Sequence, residues 1–432
     1  MIYSSRRVNK IKIIMHGAAK EVGRSCIEID EKNTKIILDA GLKLTEEGTK
    51  FPKGMYDLSQ IDGVFISHGH LDHCGALPLF DYNGLKAPIF CTKTTAKLTD
   101  LLLKDSFKIG MYHHENLGYF VENIKKAVNC IRRINLREKG ALKDISFQFY
   151  NAGHIPGSSI VKIETQDKKI LYTGDINTND TLLLKKADMN FGPVDILIME
   201  TTYGDRIHPE RKKVEKELIS EIKKAIKKGG SAIIPVFAIG RAQEILLMFA
   251  KYEFDAPVYI DGMAAEATDI ILSNPKDLNE PDKLRNAYRK VKRVQGSKQR
   301  ATIVKKQGIF ITTSGMLTGG PVYDYVKALY KDPKTSIILT GYQTKGTNGK
   351  MLLENGTMFI DGFNTRIKCK VLQFDLSAHY GMDDMKEFVQ KVSPKTIVLV
   401  HGDLPGIDSI REWAKSKKYN VIAPELEEVI TL

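Results

Sequence analysis

Cysteine is scarce in this chain of 432 residues: Cys26, Cys74, Cys91, Cys130 and Cys369 stand alone, with no paired spacing among them. That excludes a disulfide scaffold and a cysteine-based zinc ribbon, and leaves reduced thiols as the expectation. Long apolar runs are also missing, none approaching the roughly 20 residues that cross a bilayer as a helix, so no membrane partner is expected. The basic stretch Met1 to Arg7 is not followed by the uninterrupted apolar segment of a signal peptide, which argues against secretion and for the cytoplasm. No internal repeat or low-complexity segment is found, which excludes solenoids and arrays. Acidic residues fall short of basic ones, 52 against 65, for a net charge of +13. The balance leans toward a polyanionic partner without requiring one. At 42% hydrophobic and 27% charged, the composition is that of a globular protein with one domain and a large insertion, or two domains.

Histidine is rare too, ten in all, yet three of them join an aspartate within six positions: His68-Gly69-His70-Leu71-Asp72-His73. The strand Gly63 to Ile66 ends just before, so these side chains are delivered onto a tight loop. Imidazole nitrogen and carboxylate oxygen are the ligands Zn²⁺ takes, and the alternate spacing lets His68 and His70 face one ion while Asp72 and His73 face another. A chance polar turn is the plain alternative.

Two Zn²⁺ need more ligands than one loop holds. His154, between glycines in Gly153-His154-Ile155-Pro156-Gly157, follows the strand Ile145 to Tyr150. Asp175 follows Lys169 to Tyr172, and its carboxylate suits a bridge between two cations. His401 follows Thr396 to Val400 and would complete the second ion. Any one of these alone reads as a local hydrogen-bonding residue; together they explain one another.

Further strands are expected at Ile11 to Met15, Cys26 to Asp30, Lys35 to Leu38 and Ser159 to Ile163. From about Arg206 the texture becomes doubly wound α/β: a helix from Val214 to Lys228, a strand from Ser231 to Val236, a helix from Arg241 to Tyr252, then strands at Pro257 to Ile260, Gly308 to Ile311 and Ser336 to Leu339. Strands at Ile367 to Phe374 and Thr396 to Val400 read as a return to the first domain. The expected division is 1–205, an insertion at 206–362, and 363–432.

The chain resembles the metallo-β-lactamase superfamily over essentially its full length, on Asp39, the His68 to His73 run, His154 and Asp175 in that order. The resemblance implies an α/β fold, an αββα sandwich with metals at one edge. It assigns His68, His70, His154 and Asp175 to one zinc and Asp72, His73, Asp175 and His401 to the other, and gives Asp39 a supporting role behind the ligand loop. Within the superfamily the chain is similar to the β-CASP nucleases, close to the archaeal homologues of the polyadenylation-factor nuclease. Glu200 in Met199-Glu200-Thr201-Thr202, His379 in Ser377-Ala378-His379 and His401 match that branch's three motifs, and histidine at the third goes with RNA substrates. A ribonuclease is therefore implied, endonuclease or 5′→3′ exonuclease, with His379, Glu200, Asp39 and Asp72 in catalytic parts and Glu200 raising the proton affinity of His379. RNA is the implied partner, with room for a homodimer and for association with other RNA-processing factors. The short lead before the first strand leaves no space for N-terminal RNA-binding modules.

Ten Lys or Arg and no acidic residue lie between Lys283 and Lys306. Arg289, Lys290, Lys292 and Arg293 are the candidates for phosphate contacts, against the alternative of a solvated face. Ser314 and Gly315, in the glycine-rich stretch after the strand at 308–311, are candidates for cradling phosphate with exposed amides, against a simple turn. Two competing functions remain: hydrolysis of a small thioester or lactam on the same fold, and a catalytically silent RNA-binding subunit.

Overall fold

The computed structural model describes residues 10–45 and 47–432, which divide into two compact units. The first takes the chain through Asp180, Lys186–Ile207 and His379–Leu432; the second takes Thr181–Lys185 and His208–Ala378.

The first unit is built on two seven-stranded sheets. One runs Val429–Thr431, Lys12–Met15, Ile27–Glu31, Thr34–Leu38, Gly63–Phe65, Ile89–Cys91, Ile131–Arg133, and the other Asn420–Ile422, Thr396–Val400, Ile196–Glu200, Lys169–Tyr172, Ser159–Glu164, Ile145–Asn151, Lys139–Leu142. Strand periodicity explains the layers. In Ile196–Glu200, Ile196 and Ile198 enter the core between the sheets while Leu197 and Met199 enter a second core outside. Such a strand is buried on both faces and reads as a continuous apolar run. Helices Met382–Val392 and Leu404–Ser416 cover that outer face through Phe388, Val389, Ile407 and Ile410. Helices Leu77–Tyr82, Lys93–Tyr112 and Val121–Asn129 cover the other sheet through Phe80, Leu103 and Ile124. The longest of these starts where Thr92 Oγ1 accepts the amide of Thr95 at 3.2 Å, an N-cap that satisfies an otherwise orphan donor. The result is the expected αββα sandwich.

Parallel pairing sets the site. Thr34–Leu38 pairs in parallel with Gly63–Phe65, and Lys169–Tyr172, Ile196–Glu200 and Thr396–Val400 run parallel to one another. Ile145–Asn151 is antiparallel to a strand that is itself antiparallel to Lys169–Tyr172, so it points the same way. The carboxyl ends of these strands carry Asp39, Ser67-His68, His154, Asp175, Glu200 and His401.

The second unit holds a six-stranded all-parallel sheet ordered Lys292–Arg293, Val258–Asp261, Ile309–Thr312, Ala232–Pro235, Ser336–Leu339, Lys370–Gln373. Helix Arg211–Lys227 buries Val214, Leu218, Ile222 and Ala225, one face at three- and four-residue spacing, before Gly229 turns the chain at φ +79°. The division differs from the expected return at 363: Lys370–Gln373 pairs in register with Ser336–Leu339 and extends the insertion's sheet. The first unit resumes at His379.

Candidate metal centre

Asp39 organises the base of the site. Its Oδ1 accepts the amide of Ser67 at 2.7 Å, and its Oδ2 accepts from Ser67 Oγ at 2.7 Å, Tyr172 Oη at 2.6 Å and His73 Nδ1 at 2.7 Å. With Nδ1 occupied, His73 turns Nε2 toward the cluster. Backbone strain marks the same places: Asp39 and His401 sit at φ +59° and +47°, the left-handed region that costs a non-glycine residue energy and collects at functional sites. Gly174, at φ +52°, precedes Asp175 where a β-carbon would lie 2.5 Å from that of Ser67. Only glycine fits this turn.

Two groups of donor atoms converge. His68 Nε2 and His154 Nε2 lie 3.1 and 3.3 Å from His70 Nδ1, and each lies 3.6 Å from Asp175 Oδ2. Asp175 Oδ1 lies 3.3 Å from His73 Nε2 and from His401 Nδ1, and Asp72 Oδ2 is 3.4 Å from His401 Nε2 and 3.9 Å from His73 Nε2. A tetrahedral ion with arms of about 2.0–2.1 Å separates its ligand atoms by about 3.3 Å. The first group fits that edge length closely; in the second, His401 turns Nδ1 to Asp175 and Nε2 to Asp72, so only His73, Asp175 and His401 share one set of donor atoms. In the second group His73 Nε2, His401 Nε2 and Asp175 Oδ1 are buried with no hydrogen-bond partner among the described residues, and so is His70 Nε2 beside the first. Buried polar atoms are rarely left so unless an unseen group takes them. The residues present fit a divalent metal site.

Electrostatics prepare the donors. Burial lowers the proton affinity of His68 and His70, which favours the neutral, lone-pair-bearing imidazole. Burial alone would raise Asp72 and Asp175, but the charges of His73 and His401 hold both carboxyls below the ordinary range. His73 is pushed the other way: Asp175, Asp39 and Asp72 overcome its burial and raise it well above the usual histidine value. A cation bound among these carboxylates competes with that proton.

His379 stands beside this group. Its Nδ1 lies 2.9 and 3.0 Å from the two oxygens of Glu200, and its Nε2 is 4.0 Å from Asp175 Oδ2. Glu200 is buried and held by the amides of Ile176 and Thr202, at 2.9 and 3.3 Å, while its carbonyl accepts Tyr380 Oη at 3.0 Å. Asp175, Glu200 and His379 are close enough to form a third metal-holding group. The hydrogen bonds argue against it, since both Glu200 oxygens and His379 Nδ1 are already engaged. Burial alone would lower the pKa of His379, but Glu200 and Asp175 outweigh it and push it up to about 9.

All the expected ligands, with Asp39, Glu200 and His379, therefore gather in the first unit. Sequence reasoning passed over Ser67 and Tyr172, whose hydroxyls hold Asp39, and Thr202, whose Oγ1 donates to the carbonyl of His401 at 3.1 Å. The signal was polar residues at the ends of apolar strands.

The RNA-binding candidates lie in the second unit. Arg289, Lys290, Lys292 and Arg293 are exposed. Several members of the basic block are paired with carboxylates outside it: Arg293 with Asp269 at 2.8 Å, Arg285 with Asp282 at 2.6 Å, and Arg300 with Asp261 and Asp324, each at 2.7 Å. Lys292 lies over the ring of Tyr259 at 5.9 Å. Ser314 Oγ closes its own loop, accepting the amide of Thr318 at 3.1 Å, and Gly315 is buried against Phe237. Among the described residues no helix is long and apolar enough to cross a membrane.

Three family profiles cover most of the chain: "Metallo-beta-lactamase superfamily domain" at residues 26–201, "Beta-Casp domain" at 242–352 and "Zn-dependent metallo-hydrolase RNA specificity domain" at 364–424. The chain is 41% identical to a protein of Methanocaldococcus jannaschii named "Probable RNase MJ4", over 98% of its own length and 100% of the other's. The chain belongs to the β-CASP branch of the metallo-β-lactamase superfamily. Other members similar to it are "RNase aCSPSF2" of Saccharolobus solfataricus, 36% identical over 96% of this chain and 84% of that one, and "Transcription termination factor FttA" of M. jannaschii, 33% identical over 95% and 70%. Among solved structures, a protein of unknown function from Enterococcus faecalis matches at a TM-score of 0.60 and 16% identity, over 98% of this chain and 100% of that one. That likeness bears on the fold alone.

Proposed function

We propose that this β-CASP protein is a two-zinc ribonuclease that hydrolyses RNA phosphodiester bonds to leave a 3′-hydroxyl and a 5′-phosphate. The observation that carries the reading is the bridging geometry of Asp175, one oxygen turned to each group of donors, with the His379–Glu200 pair beside it. His68, His70, His154 and Asp175 would hold one ion, and Asp72, His73, Asp175 and His401 the other. Ions held there supply Lewis-acid activation of water and neutralise phosphate charge. Asp39 orients His73, and burial keeps bulk water from His68 and His73.

Hydrolysis adds water across the bond from phosphorus to the 3′ oxygen, and the departing oxygen needs a proton. His379 is the group to deliver it. Glu200 occupies Nδ1 and aims Nε2 toward the cluster, and the raised pKa keeps the ring protonated near neutrality. RNA, rather than a small thioester or lactam, is favoured by the RNase names of the relatives and by the RNA-specificity profile at 364–424.

The test is digestion of one RNA labelled at either end, in 5′-monophosphate and 5′-triphosphate forms, beside thioester and β-lactam substrates, with zinc supplied or chelated. Zinc-dependent cleavage of RNA alone is the expected result. Turnover of only the small substrates would sink the proposal, as would RNA binding without cleavage.

Substrate binding should also weaken with salt, with a slope of about −0.7 per phosphate contact on a single strand. Arg289 and Lys290 have no ion pair among the described residues, unlike Arg293. Neutralising Arg289, Lys290 and Lys292 is expected to flatten the slope more than Arg293→Gln does. A slope that neither change moves would make this block a solvated face.

A further inference from the structure

We infer that Ser67 is a positioning residue that ties both metal half-sites to one carboxylate, Asp39. Its hydroxyl lies 2.7 Å from Asp39 Oδ2 and 3.1 Å from His68 Nδ1. A serine hydroxyl carries one proton. The amide of Ser67, Tyr172 Oη and His73 Nδ1 also converge on Asp39, so this carboxylate accepts throughout. Ser67 must then donate to Asp39 and accept from His68, which fixes the His68 proton on Nδ1 and frees Nε2 for the group it shares with His70 and His154.

The relay is rigid. Ser67 is buried, its carbonyl takes the amide and hydroxyl of Ser159 at 2.8 and 2.9 Å, and Gly174 leaves room for its side chain. His73, proposed to serve one ion, meets Asp39 directly; His68, proposed to serve the other, meets it through Ser67. A single carboxylate thus sets the ring tautomer on both sides of the bridging Asp175. Partners behind a metal ligand are typically worth about 10- to 100-fold in metal affinity.

The inference rests on the two-ion reading, and the experiment separates the two. Full-length zinc-loaded protein labelled with ¹⁵N-histidine is compared with Ser67→Ala, using long-range ¹H–¹⁵N spectra and competition with a zinc chelator. The wild type is expected to bind about two zinc ions, with the His68 proton on Nδ1. In Ser67→Ala one ion should be held about 10- to 100-fold more weakly, while the His73 signals and the other ion stay unchanged. Equal weakening of both ions, or of neither, overturns the inference. So does a wild-type His68 lacking the Nδ1 proton, a result that stands even if Ser67→Ala does not fold. A wild type that binds fewer than two ions instead removes the two-ion reading.

Discussion

Asp175→Ala is expected to strip the protein of metal and leave no measurable cleavage. Oδ2 of Asp175 lies 3.6 Å from both His68 and His154, and Oδ1 lies 3.3 Å from both His73 and His401. One substitution therefore removes a ligand from each proposed ion. It also removes the negative charge that offsets the repulsion between two dications close together. His70→Ala touches only the first group and should lose one ion while the other is retained in part. Elemental analysis of the purified variants gives the reading: about two zinc ions per chain in the wild type, near none in Asp175→Ala, an intermediate content in His70→Ala. Full metal and full activity in both variants would remove the assignment. Equal metal content in the two would leave a metal site but deny Asp175 its bridging place.

The parts of this site that are legible in the sequence are those where one strand end carries its own signal. His68, His154, Asp175 and His401 each follow an apolar run, and strands that point the same way bring such ends to one edge. Glu200 and His379 lie 179 positions apart and meet only in the folded chain; separately they are a strand-end carboxylate and a loop histidine, and resemblance alone connects them. Ser67 and Tyr172 escape notice because each looks like part of a strand. Their partner, Asp39, comes from a different strand, and such a contact is tertiary. The charge run from Lys283 to Lys306 is partly compensated in the folded chain. Counting along the chain misses Asp261, Asp269 and Asp324, which fold back to pair with its arginines. The expected boundary at 363 differs from the structure for a related reason. A short apolar strand carries no mark of which sheet it joins, and Lys370–Gln373 joins the insertion's.

The second large effect separates proton delivery from metal binding. His379→Ala should retain its zinc and its affinity for RNA while cleavage slows by roughly 10²- to 10⁴-fold, the usual worth of a positioned general acid. The Nε2 of His379 lies 4.0 Å from Asp175 Oδ2, its ring packs 4.5 Å from that of His154, and Glu200 holds Nδ1, so it stands outside the proposed ligand set and deleting it leaves that set whole. His401→Ala, by contrast, should lose metal as well as rate. A general acid works protonated, so the wild-type rate should fall as pH rises through the pKa of His379, raised to about 9 before metal is bound. Because Asp175 contributes to that rise and is also a proposed ligand, the alkaline limb of the loaded enzyme is expected below that value. Glu200→Gln removes the larger favourable charge and should move the limb down by about a unit or more. His379→Ala should abolish it. A leaving group that needs no proton supplies the last control: with sulfur in place of the scissile 3′ oxygen, the His379→Ala defect should shrink toward wild type. A defect of equal size on the sulfur-substituted RNA, or loss of zinc from His379→Ala, would show that His379 binds metal or positions substrate and does not deliver the proton.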